Sequence, residues 1–298
     1  MQDPRDAIVG EAGHPVELPG LRNVVEFHEG YLSGSVPEGE VGFGTLANLG
    51  VRTIISVDGG VPSVDLAEAH GIRYIHLPVG YGGIDRERSF ELACATRESI
   101  QDGSVYVHCH HGKHRSSAVA GVVTVMLGWQ TSESALEKMR IAGNSPKYTG
   151  LFDSVADAER VEGSLLDLDV DDFPSVWQPY SFVHGMIEMD DVLDRLRLIE
   201  QAGWSTPAEH PDLVPVAEAG QMADLHRLLV TEAREGDQPA EFASGFDPGL
   251  SAARDLEDQL LLLEPDHARM SDWLDAIADS CVACHDRYRV VESIVLVD

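Results

Sequence analysis

Two hydrophobic rhythms divide the chain. Val51–Val57 (VRTIISV), Ile72–Leu77 and Ser104–His108 are short apolar runs rich in β-branched residues, the pattern of strands buried on both faces. Between them, Pro62–His70 and Glu87–Gln101 carry apolar positions at helical spacing. Tyr31–Pro37 predicts a short strand or turn, and Gly39–Leu49 a helix that ends at Gly50. This alternation predicts an α/β domain with a parallel central sheet, whose ligands bind beyond the carboxyl ends of its strands. After it come a helix over Gly112–Leu127 with small and β-branched residues all round, then helices over Ser132–Ala142 and Tyr148–Glu162.

Beyond Pro174 the rhythm is helical, with no strand signal until the last few residues. Phe182–Ala202, His210–Glu235, Pro248–Leu263 and His267–Arg289 each read as a helix. In the first, Val183, Met186, Ile187, Val192, Leu193, Leu196 and Ile199 form one broad stripe. Four helices with short Gly-, Pro- and Asp-rich connections predict an all-α antiparallel four-helix bundle. The expected organisation is a lead-in over residues 1–24 and an α/β domain over 25–165. An acidic linker over 166–174 (LDLDVDDFP) and a helical domain over 175–298 follow.

Charge sharpens the division. The chain carries a net −30, and its 3 Lys all lie at or before Lys147. Up to residue 165 there are 13 basic and 22 acidic residues, and beyond it 8 and 29. Such a field repels nucleic acid and anionic membrane, so neither is expected as a partner. No run is long and apolar enough to predict membrane insertion. Four Cys in 298 residues are too few for a disulfide scaffold. Cys94 belongs to no motif and reads as a small buried residue.

Against that acidic background stands Val105–Ala118 (VYVHCHHGKHRSSA). A strand runs into Cys109, a five-residue loop follows, and Arg115 opens a helix. A thiolate is a strong nucleophile that requires positive surroundings. The loop N–H groups, the helix dipole and the planar fork of Arg115 are suited to wrapping an oxyanion.

His108-Cys109-x5-Arg115-Ser116 resembles the signature of the protein tyrosine and dual-specificity phosphatase superfamily. The ending Gly112-Lys113-His114-Arg115 is most similar to the atypical plant-and-fungal branch. The resemblance covers roughly residues 25–160, including the Gly128-Trp129 pair. It implies that Cys109 attacks phosphorus and forms a phosphocysteine, and that Arg115 and the loop amides hold the phosphoryl oxygens. It further implies that His108 orients the loop and that Ser116 stabilises the departing thiolate. Lys113 and His114, with His110 and His111 at acidic pH, would add positive charge at the rim. Asp85, on a loop with Gly82 and Gly83 for mobility, is the first candidate general acid, and Asp58 the second. Asp85 has an alternative role as a helix N-cap. Zinc held by the loop histidines and a rhodanese-like sulfur transfer are the competing readings of this loop. No cofactor is required for the phosphatase chemistry. The substrate is expected to be a phosphorylated small molecule, inositol pyrophosphates among them, or a phosphoprotein.

Cys281-Val-Ala-Cys284-His285 matches the C-x-x-C-H pattern of c-type haem attachment. Its place on the last predicted helix, followed by Tyr288 and Arg289, resembles cytochrome c′. That resemblance implies covalent haem c on Cys281 and Cys284 with His285 as an axial iron ligand. Met186, Met189 and His184 are candidates for the distal side. Thiol redox chemistry, zinc at the CxxC, or an inert remnant are the alternatives. The expected protein is a phosphatase fused to a haem bundle, open to regulation by redox state or a diatomic gas. The alternatives are a haem electron-transfer or gas-binding protein with a non-catalytic phosphate-binding module, and a phosphatase whose bundle mediates association, including homodimerisation. Haem attachment implies a periplasmic or exported protein; without it the expectation is cytoplasmic. Met1–Pro15 shows no apolar leader.

Overall fold

The computed structural model describes residues 14–163, 166, 173–177, 182–235 and 239–288. The chain forms two compact units, Met1–Pro179 and Tyr180–Asp298. The division falls downstream of the one expected from the acidic stretch. Most of that stretch, the first 13 residues of the lead-in, Arg289 and the β-like tail lie outside the described residues.

In the first unit six strands form one sheet: β1 (Val16–Leu18), β2 (Leu21–His28), β3 (Tyr31–Ser35), β4 (Val51–Ser56), β5 (Arg73–His76) and β6 (Ser104–Cys109). Their order is β1-β2-β3-β6-β4-β5. β3, β6, β4 and β5 run parallel, whereas β1–β2 and β2–β3 pair antiparallel. The sheet is therefore mixed, and a hairpin occupies part of the stretch expected to be a lead-in. Asn23, at φ 58°, interrupts the alternation that would have marked β2 in the sequence.

Helices α1 (Gly39–Asn48), α2 (Val64–Ala69), α3 (Arg86–Ser99), α4 (Arg115–Met126), α5 (Ser132–Ile141) and α6 (Thr149–Ala156) complete the unit. Phe43 and Leu46 of α1 and Ala67 of α2 pack with Ile54, Tyr74 and Tyr106 in one core. Side chains alternate across a strand, so Val105, Val107 and Cys109 of β6 point to the other face. There α4 packs on β3 and β6, with α3, α5 and α6 against it. All twelve residues of α4 are buried, which explains its apolar character all round. β6, buried along its length, thus carries Cys109 into the middle of the unit.

The second unit is helical: α7 (Phe182–Gln201), α8 (Pro215–Glu235), α9 (Ala240–Ser244), α10 (Asp247–Leu261) and α11 (His267–Tyr288). α7 packs on α8, α8 on α10 and α10 on α11, while α11 also meets α7. Val192, Leu196, Leu229, Leu256, Leu274 and Ile277 fill the centre. The stripe expected on α7 holds only in part. Val192, Leu196 and Ile199 are buried, but Val183 and Ile187 are 67% and 55% exposed. Those two residues flank a cavity instead of entering the core.

Candidate functional site

Cys109 ends β6 and is almost fully buried, with its Sγ 3.4 Å from Ser116 Oγ on the first turn of α4. The intervening loop is seated on the end of β3. Val36 N donates to His110 O at 3.3 Å, and Asn23 Nδ2 donates to Gly112 O at 2.8 Å and to Ala142 O at 2.8 Å. Gly112 has φ +75°, and a Cβ there would lie 2.3 Å from Ser35 N. A left-handed L-residue costs about 1–2 kcal/mol before any clash. Gly112→Ala is accordingly expected to lower stability by more than that amount and to displace the loop, measured by urea unfolding and by phosphate binding.

Arg115 is 1% exposed, an unusual depth for a guanidinium. Its Nη2 donates to Asp58 Oδ1 at 2.9 Å and to the Tyr81 hydroxyl at 2.9 Å, and its Nη1 lies 3.5 Å from Val79 O. The guanidinium carbon stands 4.1 Å from the Tyr81 ring centroid, which adds a cation–π contact. Asp58, just past β4, is held in turn through its own backbone. His76 Nε2 donates to Asp58 O at 2.8 Å, and His76 Nδ1 accepts from Trp177 N at 3.0 Å.

The two candidate acids have different surroundings. Asp85 is exposed and caps α3, its Oδ1 accepting from Arg88 N at 2.8 Å. Asp58 is the carboxylate at the Cys109–Arg115 site. The Gly82-Gly83 loop packs beside α6. Ile84 N donates to Ser154 Oγ at 2.9 Å, and a Cβ on Gly150 would lie 2.0 Å from Gly82 O.

His108 is buried at the base of the loop. Its Nδ1 donates to Cys109 O at 3.4 Å, so its Nε2 accepts from the Tyr74 hydroxyl at 2.6 Å. Burial pushes its pKa down to about 4. His114 corrects an expectation as well. It is buried against Tyr148 with ring centroids 4.4 Å apart, its Nδ1 lies 3.2 Å from Asn144 Oδ1, and burial takes its pKa to about 4. His114 is therefore a neutral clamp, and exposed Lys113 and His111, with half-buried His110, form the rim.

These two imidazoles make a pH prediction. Unfolded histidine takes up a proton near its ordinary 6.5, while the folded state resists until about 4. The unfolded chain binds more protons in that window, so stability is fully present above it and is lost as pH falls through it. The unfolding midpoint of the first unit is expected to fall already between about pH 6.5 and 5, above the ordinary carboxylate range. A flat profile there would contradict the burial of both rings.

Asn23, Tyr74, Tyr81 and Asn144 were not singled out by sequence reasoning. Each is an isolated polar or aromatic residue whose role exists only through contacts distant in the chain.

In the second unit Cys281 and Cys284 are half-buried on α11 and carry no disulfide. They line a cavity of about 700 Å³ with His285, Met186, Met189 and His226. That volume lies within the roughly 300–1,000 Å³ of cofactor sites. Phe182, Phe242, Phe246 and Tyr288 wall it with ring contacts of 5.1 to 6.1 Å. The buried Tyr288 hydroxyl has no hydrogen-bond partner among the described residues. Burial raises the pKa of both thiols, the reverse of what a reactive CxxC pair requires. Among the described residues no three His, Cys, Asp or Glu side chains converge on one point. Two thiols and an imidazole thus line one aromatic-walled cavity. Of the distal candidates, Met186 and Met189 line the cavity, and His184 is exposed. Cys94 is buried on α3, as read from the sequence.

Fold and loop together define an α/β domain that presents a cysteine and a buried arginine at the carboxyl end of a central parallel strand. The N-terminal half is similar to structures of protein tyrosine and dual-specificity phosphatases. Pseudomonas aeruginosa TpbA is 18% identical, over 50% of this chain and 99% of that one, with a TM-score of 0.39. A DUF442 protein of Shewanella putrefaciens CN-32 is 21% identical, over 47% and 96%, with a TM-score of 0.40. Kinase associated phosphatase, solved with its catalytic-site cysteine changed to serine, is 19% identical, over 48% and 97%, with a TM-score of 0.38. A further TpbA structure holds pTyr. No family model and no curated protein matches the chain.

Proposed function

We propose that the first unit is a cysteine-dependent phosphatase and that the second carries a covalent c-type haem. The observation that carries the first part is Cys109 buried beside Ser116, under a loop that ends in a fully buried, carboxylate-anchored Arg115. The Cys109 sulfur supplies the electron pair of a new S–P bond, and the P–O bond to the leaving group breaks. Loop amides and Arg115 take the phosphoryl oxygens, where charge resides in the transition state. Water then attacks phosphorus, the S–P bond breaks, and the thiolate returns beside the Ser116 hydroxyl. Orthophosphate leaves.

The two carboxylates bear on substrate class. Asp85 is engaged by a helix end and Asp58 by the Arg115 guanidinium, which leaves neither carboxyl group uncommitted. Substrates whose leaving oxygen departs readily without a proton, aryl phosphates and phosphoanhydrides, are therefore favoured over alkyl phosphates. The test is acid-quenched turnover of a labelled aryl phosphate. Label on Cys109 supports the reading, and turnover with no phosphocysteine would remove it.

In the second unit Cys281 and Cys284 would hold the porphyrin edge by thioethers, and His285 would ligate its iron. Bound haem supplies an iron that carries one electron or takes a diatomic gas. The aromatic wall and the exposed Val183 and Ile187 beside it are apolar surface that a porphyrin would cover. Haem attachment is a process outside the cytoplasm, so this reading places the protein in an exported compartment. Protein made with export and haem-maturation machinery is expected to keep its Soret band after denaturation and solvent extraction. Cys281→Ser combined with Cys284→Ser is expected to lose it.

A further inference from the structure

β5 is the last strand of the sheet, and residues 173–177 of the connector lie along its outer edge. Leu77 N donates inward to Ser56 O at 2.9 Å, so His76 N, one residue earlier, faces the open edge. There it donates to Pro174 O at 2.8 Å. Trp177 N donates to His76 Nδ1 at 3.0 Å, and the Arg88 guanidinium stands 4.6 Å over the Trp177 ring. Phe173, at the start of the segment, is buried. A backbone N–H only donates, so Nδ1 of His76 carries the lone pair and Nε2 the proton. That proton goes to Asp58 O at 2.8 Å, and Asp58 Oδ1 in turn accepts from Arg115 Nη2 at 2.9 Å. A line of hydrogen bonds therefore runs from the connector, through a histidine 1% exposed, to the arginine of the loop.

We propose that residues 173–177 are a strap that positions Arg115 through His76 and Asp58, an inference that rests on the phosphatase reading above. Trp177 and His76 are its positioning residues. The Trp177 N–H fixes which nitrogen of His76 bears the proton. With the strap displaced, that proton can move to Nδ1, and Nε2 then turns a lone pair toward the Asp58 carbonyl, which repels it. Asp58 loses the contact that sets its backbone, and the guanidinium fork loses its fixed orientation toward the phosphoryl oxygens. The phosphate site thus extends into the stretch just ahead of the second unit, which begins at Tyr180.

The test uses the full chain and reads aryl phosphate turnover together with binding of inorganic phosphate. Trp177→Ala removes the ring beneath Arg88 and should lower kcat/KM and phosphate affinity about 10-fold each, within the roughly 10²-fold that a misplaced catalytic group costs. Trp177→Phe keeps an aromatic face and should restore both. His76→Met fills the space without a proton to donate and should act like Trp177→Ala, while His76→Gln retains a donor and should keep most of the activity. Asp58→Ala cuts the line ahead of Arg115, so adding Trp177→Ala to it should cost nothing further in phosphate affinity. Should Asp58→Ala fail to fold, the Trp177 and His76 variants decide the matter. An equal further loss in that background would overturn the strap. So would wild-type turnover and phosphate affinity in folded Trp177→Ala and His76→Met. A wild-type chain that binds phosphate without hydrolysing esters would sink the phosphatase reading, and the affinities alone would then decide the strap. A chain that does neither would sink both.

Discussion

Cys109→Ser is expected to lower phosphate release by on the order of 10⁵-fold or more, the scale seen when an enzyme loses its nucleophile. Serine keeps the size and polarity of the side chain, so the loop, its amides and Arg115 remain in place. What disappears is the S–P bond, because a serine hydroxyl is ionised far less readily than a thiol and no base stands beside it. Ser116 is a hydroxyl, 3.4 Å away, and does not replace one. The loss should therefore fall on kcat, with phosphate affinity retained. Steady-state kinetics together with direct binding of inorganic phosphate separate the two, and a variant that keeps wild-type turnover would eliminate the covalent mechanism.

Arg115→Lys is expected to cost about 10²–10³-fold in kcat/KM, the scale of removing one preorganised donor to a transition-state oxyanion. The usual argument that the charge is conserved fails here because of burial and geometry. Arg115 is held by Asp58, Tyr81 and the Val79 carbonyl together, and its plane lies over the Tyr81 ring. A lysine ammonium is a point donor that matches neither the fork nor the ring. It would still neutralise Asp58, so folding should survive while catalysis does not. A melting temperature near wild type with collapsed turnover is the expected combination, and full activity in Arg115→Lys would show that the fork is unnecessary.

Much of this was legible in the sequence for a physical reason. β6 and α4 are buried along their whole length, and burial imposes the apolar runs that give them away on either side of Cys109. Loop length, Cys109, Arg115 and Ser116 are local and survive in one dimension. The hairpin of β1 and β2 was missed because Asn23 breaks the strand alternation, and Asn23 is there for contacts with Gly112 and Ala142. The same logic hid the surroundings of the two candidate acids. Asp85 has a suitable position in the chain, but its side chain satisfies a helix end, whereas Asp58 reaches Arg115 across 57 residues. His114 read as a rim charge because a histidine in a basic loop gives no sign in sequence of whether it turns inward.

The way the loop is fastened has a consequence for the order in which the site comes into being. Asn23 is joined to Gly112 and Ala142 across 89 and 119 residues, and His114 to Asn144 across 30. A chain emerging from the ribosome can display the entire run from Cys109 to Arg115 and still lack the fastenings that shape it. Those arrive only when α5 and Asn144 have been synthesised and the early hairpin has closed over them. Competence to grip an anion is thus a late event in the biogenesis of the first unit, reached when its opening strand and its later helices meet at the loop.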